Sequence, residues 1–256
     1  MPFQEIAPEK LASAVVRQIE RLILQGILRP GERLPSEREL SERLGVSRPS
    51  LREAVAELQD NGLLTTKAGS GIFVAEVLGS AFSPALIRLF GTHDEAVFDY
   101  LDFRSDLESL AAARAAQCGS DTDLAVIATI FAKMEAAHHK RNPETEAALD
   151  AEFHMAIIEA SHNVIMLHMM RAMFDLLRQG VFYNRQIMFR QKDTRDILLD
   201  QHRAINAALQ ARDPAGARAA IEAHMSFVRV ALSEDRRART NEAVARLRLA
   251  QEVERG

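Results

Sequence analysis

The chain has 256 residues, 47 % of them hydrophobic and 27 % charged, with a formal net charge of −4 and one cysteine. That is a folding chain long enough to bury a sizeable core in one or two domains. Its composition excludes an internal disulfide framework and a multi-cysteine zinc site.

Fourteen of the twenty Gly and Pro residues fall in the first 91 positions, so the front third is punctuated by turns and the rest is free to run as long helices. The start, Met1 to Glu5, has no basic stretch followed by an apolar one, and no signal peptide is expected. No apolar run approaches 18 residues, so no membrane partner is expected and a cytoplasmic location is. Cys118 reads as a small buried apolar residue in a reducing compartment.

Leu11, Val15, Ile19, Leu22 and Ile23 recur at helical spacing, and that helix should end near Gly26. After the turn at Arg29-Pro30-Gly31, Ser36 and Glu39 have the spacing of a capping box, opening a short helix that Gly45 closes. Ser47 should cap a third helix with Pro49 in its first turn and Leu51, Val55 and Leu58 on its core face. Leu63 to Thr66 and Ile72 to Ala75 then read as two short strands joined through Gly69 and Gly71. The order helix, helix, turn, helix, hairpin is that of a winged helix-turn-helix. The expected organisation is this domain at 1–76, a linker at 77–92, an all-α helical bundle at 93–235 and a charged tail at 236–256.

The start of the third helix gathers groups that bind a nucleic-acid backbone: the hydroxyls of Ser47 and Ser50, free helix N–H groups, and Arg48 and Arg52. A guanidinium at the helix tip, as at Arg48, suits bidentate contact with guanine in the major groove. Arg38 lies on the preceding helix, and Gly69 would let the hairpin backbone approach a minor groove. Residues 1–75 hold ten basic and ten acidic side chains, so binding must come from a local patch rather than bulk charge.

These residues resemble a known family. Leu34 to Leu40, followed by Gly45 to Ala54 and Lys67 to Val74, resembles the DNA-binding domain of the GntR family of bacterial transcription regulators. The resemblance implies that Arg38, Ser47, Arg48, Ser50, Arg52 and Gly69 contact double-stranded operator DNA, as a homodimer on an inverted repeat.

In the back of the chain, Asp150 and His154 stand at i, i+4 on one helix face, and His202 and His224 lie on later helices among apolar residues. Taken singly, each histidine is as well explained as a satisfied core residue. Together, three imidazoles and a carboxylate suit a borderline cation such as zinc. The stretches Phe103 to Glu108, Asp150 to His154, Glu159 to Asn163, Gln201 to Ile205 and Ala223 to Val228 resemble the FCD effector domain, most closely in regulators of lactate, glycolate and pyruvate metabolism. That resemblance implies that Asp150, His154, His202 and His224 hold one divalent metal ion, Zn2+ with Mn2+ or Ni2+ as alternatives, and that Arg104 clamps a small carboxylate effector. The pyruvate-responsive branch can lack these ligands, and all four are present here. By spacing alone, Arg104 and Glu108 form a helix-surface ion pair. Met166, Met169, Met170 and Met173 read as core, and the other five histidines as surface or capping groups.

The leading functional expectation is thus a DNA-binding transcription regulator, a repressor relieved by a small hydroxy- or keto-carboxylate. The competing reading is a metal-dependent enzyme with an accessory DNA-binding domain. No His-Glu-x-x-His, Gly-x-Ser-x-Gly or phosphate-binding loop motif supports it, and Glu152 falls on a different helix face from Asp150.

Overall fold

The computed structural model describes residues 11–67, 69–75, 83–178, 188–189 and 192–255. The chain divides into two compact units, residues 1–81 and 82–256.

In the first unit, α1 (Leu11–Leu24), α2 (Glu37–Leu44) and α3 (Arg48–Asp60) precede strands β1 (Leu64–Lys67) and β2 (Gly71–Val74). Val15, Ile19 and Ile23 of α1 and Leu51, Val55 and Leu58 of α3 share one buried cluster with Leu34, Leu64, Ile72 and Val74. Each such side chain gains about 1.5–3 kcal/mol on leaving water, which offsets the ordering of these short elements. Only Ser41 of α2 is buried, so its ends depend on caps: Ser36 Oγ accepts from the Glu39 amide at 3.3 Å, and Gly45 closes the helix at φ 66°. The expected capping box is only half made. The Glu39 carboxylate turns instead to Arg43 at 2.5 Å, one helical turn on.

The hairpin pairs Leu64 with Val74 and Lys67 with Gly71, shifting each strand by one residue from the sequence expectation. Gly69 and Gly71 take φ 72° and 109°, a backbone that other residues adopt only with strain. A third extended segment, not foreseen, runs beside β2: the Leu34 amide donates to the Ile72 carbonyl and the Val74 amide to the Glu32 carbonyl, both at 2.9 Å.

The second unit contains α4 (Pro84–Thr92), α5 (Asp94–Cys118), α6 (Asp121–Lys140), α7 (Pro143–Ala160), α8 (Val164–Arg178), α9 (Lys192–Gln210) and α10 (Pro214–Arg255). Its core threads through all but α4 and includes Leu101, Ile127, Phe153, Met170, Ile205 and Ile221. The expected linker at 77–92 is corrected in its second half. Ser83 accepts from the Leu86 amide with Pro84 in the first turn, so the Ser-Pro pair starts a helix rather than breaking one. Its first half, with Gly79 and Ser80, lies outside the described residues. The expected tail at 236–256 continues α10 instead, with Arg236 over the Phe98 ring and i, i+4 pairs Asp235–Arg239 and Glu242–Arg246.

Two further expectations are corrected. Cys118 is exposed, because it ends α5 off the face that buries Ala111, Ala112, Ala115 and Ala116. Met169 is also exposed, while Met166, Met170 and Met173 form the buried i, i+4, i+7 stripe. Among the described residues no helix is long and apolar enough to cross a membrane.

Candidate DNA-contacting surface and metal centre

In the first unit, Arg38 projects from α2 and Arg48 from the first turn of α3, both exposed. Ser47 caps α3 by accepting from the Ser50 amide at 3.3 Å, and the two hydroxyls are 2.9 Å apart. Arg52, a turn further in, is not a free cation: its Nε donates to Glu37 Oε2 at 2.9 Å, tying α3 to α2. Arg52, Glu37, Ser36, Lys67, Gly69 and Arg33 line one groove of about 510 Å3 between the helices and the hairpin. A Cβ at Gly69 would meet nothing within 4 Å, so its glycine is required by backbone conformation and leaves the hairpin tip unobstructed. Arg33 was not singled out from sequence. It bridges to Phe73 of β2, and a Cβ at Gly71 would sit 3.1 Å from its Nε, so only the unforeseen third segment puts it there.

In the second unit, α7 supplies Asp150 and His154, α9 supplies His202 and α10 supplies His224. All four are buried, and one donor atom from each lies within 4.8 Å of the others. His202 Nε2 is 3.0 Å from Asp150 Oδ1 and 3.3 Å from His154 Nε2. Burial holds His154 below the ordinary imidazole range against the pull of Glu108. Burial together with His202 and His154 holds His224 well below it. A neutral imidazole keeps a lone pair for a metal, and three histidine rings converging with a carboxylate fit a borderline divalent cation. The four residues brought together by resemblance are thus adjacent in space.

Behind the cluster stands a second layer that sequence spacing did not single out. His154 Nδ1 is 2.6 Å from Glu108 Oε2, and His224 Nδ1 is 3.0 Å from Gln201 Oε1. Such partners fix the ring orientation and the tautomer of a ligating histidine. Glu108 also meets Arg104 Nε at 2.6 Å, and both side chains are at most 2 % exposed, so the expected surface ion pair is a buried one. The cause is that α5 packs on α7 and on α10, which leaves this stretch no solvent face. Burial raises the Glu108 carboxyl, but Arg104 and then His154 outweigh it and bring the pKa down to about 2. Arg104, Asp150 and His224 line a cavity of about 10 Å3 with Met188, Phe189 and Leu198.

Of the remaining histidines, His162 is an exposed group bonded to Asp123 at 2.9 Å. His138 is half-buried, with Nε2 3.0 Å from the partly exposed Asp196 and Nδ1 3.8 Å from the buried Glu146.

Comparison with known proteins places each unit in a family. The gntR family of bacterial regulatory proteins matches residues 11–74, and the FCD domain matches residues 99–227. The regulatory protein assigned to the L-lactate dehydrogenase operon of Escherichia coli K12 is 35 % identical over 87 % of this chain and 86 % of its own length. The Glc operon transcriptional activator of the same organism is 35 % identical over 86 % and 87 %. LutR of Bacillus subtilis is 32 % identical over 83 % and 96 %. A solved GntR structure from Streptococcus agalactiae superposes with a TM-score of 0.51 at 25 % identity, covering 85 % of this chain and 98 % of that one. These relatives are transcription regulators rather than enzymes, and they set aside the metal-dependent enzyme as a reading. The chain belongs to the GntR family of DNA-binding bacterial transcription regulators, with an FCD domain behind its winged helix-turn-helix.

Proposed function

We propose that the chain is a cytoplasmic repressor that binds an inverted-repeat operator as a homodimer and is released by a small hydroxy- or keto-carboxylate. The observation that carries this reading is the single cavity shared by Arg104 and two members of the cluster, Asp150 and His224. Asp150, His154, His202 and His224 would hold one divalent ion, Zn2+ in this reading, whose open coordination positions attract a carboxylate and its neighbouring oxygen. Arg104, oriented by Glu108, would neutralise the carboxylate from the side. Arg38, Arg48, Ser47, Ser50, Arg52 and Gly69 would meet DNA, with Arg48 at a base edge and Arg52 at a phosphate.

The cavity has room for about one water, so a hydroxy acid must displace neighbours such as Met188 and Phe189 to enter. A ligand that binds only the displaced arrangement shifts the population toward it, which is what a switch requires. Long acyl chains suit the site poorly, since the polar cluster would be desolvated against an apolar tail. Two of the relatives are named for the L-lactate dehydrogenase and Glc operons, in keeping with a small hydroxy acid. One is named an activator, so the sign of the response is tested together with the ligand.

The experiment titrates lactate, glycolate, pyruvate and citrate calorimetrically into zinc-loaded protein and into the His224→Ala variant, with operator binding followed in parallel. One of them should bind the unmodified protein alone and weaken its hold on DNA. Equal binding to both proteins would move the effector site elsewhere, and tighter DNA binding would reverse the repressor assignment.

A further inference from the structure

His202 carries a second nitrogen that the cluster does not use. The residue is fully buried, its Nε2 faces Asp150 and His154, and among the described residues no group bonds its Nδ1. When Nε2 serves as a ligand the proton sits on Nδ1, and a buried N–H needs an acceptor. His202 also lines a cavity of about 10 Å3 that includes none of the other three cluster residues, so this space lies on the side of the ring away from the cluster. A volume of that size is roughly what one water requires.

The polar lining of this cavity, besides His202, is the buried Glu146 and Arg195 and the half-buried His138. Arg195 Nε donates to Glu146 Oε2 at 2.9 Å and its Nη2 to Oε1 at 2.8 Å, both side chains being almost fully buried. The same Nη2 donates to the His138 carbonyl at 2.7 Å. The pair joins α7 to α9 and to the end of α6, and it holds the carboxylate in one orientation with lone pairs to spare. His138 Nδ1, at 3.8 Å from Glu146 Oε2, is too far for a direct hydrogen bond and leaves a polar gap at the same place.

We propose that one ordered water fills this cavity, accepting from His202 Nδ1 and donating to Glu146, so that the Glu146–Arg195 pair is a positioning element for His202. Each of the three cluster histidines is then held from behind by a polar group: His154 by Glu108, His224 by Gln201 and His202 by Glu146 through water. The arrangement also accounts for a buried ion pair at this position, where apolar packing alone would leave the His202 N–H without an acceptor. The place of the water does not depend on the metal reading, whereas the donation from His202 Nδ1 and the consequence for metal affinity rest on it.

The test has two arms on the full chain. The first is a crystal structure of chelator-treated protein at a resolution that shows ordered waters. A peak within hydrogen-bond distance of His202 Nδ1 and of the Glu146 carboxylate is expected, and a dry cavity or a distant peak overturns the proposal. The second is zinc affinity by competition with a chromophoric chelator, comparing the unmodified protein with the Glu146→Leu/Arg195→Met double variant, in which apolar side chains replace the pair. Affinity should fall 10- to 100-fold, while Arg212→Ala, at a surface pair remote from the cavity, leaves it unchanged. Equal affinity in the double variant overturns the positioning role. The first arm decides whether the water is there even if the double variant does not fold. Failure of the unmodified protein to bind zinc would count against the metal reading, while the position of the water is still decided by the first arm.

Discussion

Arg48 stands in solvent at the tip of α3, whereas Arg104 of the helical unit is 1 % exposed, held by Glu108 and stacked 5.0 Å from the Phe174 ring. Both are arginines assigned to recognise an anion, yet the fold treats them differently. The exposed one stays hydrated and loses little when changed, so its role is separable from folding. The buried one is held in the core by a counter-charge, so site and stability are the same structure there.

The strongest way to break this comparison is to remove the counter-charge. Glu108→Gln leaves the Arg104 guanidinium buried with its carboxylate partner gone, a change that costs about 3–5 kcal/mol. For a unit of this size that lowers the melting temperature by roughly 2–4 °C per kcal/mol. Arg48→Ala and Arg38→Ala should melt within about 0.5 kcal/mol of the unmodified protein. If Glu108→Gln melts with them, the buried pair does not carry stability and the contrast fails.

The second prediction concerns the cluster itself. A ligand that binds only the folded state at a thousandfold excess over its Kd adds about 4 kcal/mol. Zinc should therefore raise the melting temperature of the unmodified protein and leave His202→Ala where it was. No shift with zinc, manganese or nickel would remove the metal reading.

The third prediction sharpens the other side. Arg48→Ala should cost roughly 1–3 kcal/mol in operator binding and relax the preference at one base pair. Arg52→Ala should weaken all sequences alike and flatten the salt dependence. It should also free Glu37, whose partner Arg52 is. Full specificity retained in a titration of Arg48→Ala would displace the recognition role from the tip of α3.

The contrast between the two sites also explains what was legible in the sequence. The proposed DNA-contacting surface is local: Ser36, Gly45, Ser47 and Pro49 punctuate 14 consecutive residues, and cap chemistry places their neighbours without knowledge of the fold. Even there the third segment beside β2 stayed hidden, because no pattern in Glu32-Arg33-Leu34 announces its partner. The proposed metal centre is non-local. Only Asp150 and His154 share a face that spacing reveals, and His202 and His224 converge with them through helix packing. Glu146 and Arg195 are 49 residues apart, and their pairing has no signature in either segment. Burial was misread for the same reason. The i, i+4 rule brings Glu108 to Arg104, but the helices covering that face of α5 decide whether the pair is wet or dry.

The smallest expected effect is a pH dependence at the start of α6. Asp123 sits in a full capping box: its amide donates to Ser120 Oγ at 3.1 Å, and its carboxylate accepts from the Ser120 amide at 2.8 Å and hydroxyl at 2.6 Å. Partial burial raises its pKa, but the Ser120 bonds and then His162 outweigh it and hold the group below its ordinary value of 3.8. A carboxyl lowered in the folded state adds stability above its unfolded pKa and loses it as pH falls through the folded one. The contribution is therefore complete at neutral pH and fades below roughly pH 4. The side chain is partly exposed to solvent, which screens the His162 pair, so the effect should stay under about 1 kcal/mol. Thermal melts of the unmodified protein and Asp123→Asn between pH 7 and pH 3 should differ by a constant offset above pH 5, and the two curves should approach each other below pH 4. Curves that stay parallel to pH 3 would show that the cap is held by the Ser120 hydroxyl alone and that the carboxylate charge adds nothing to it.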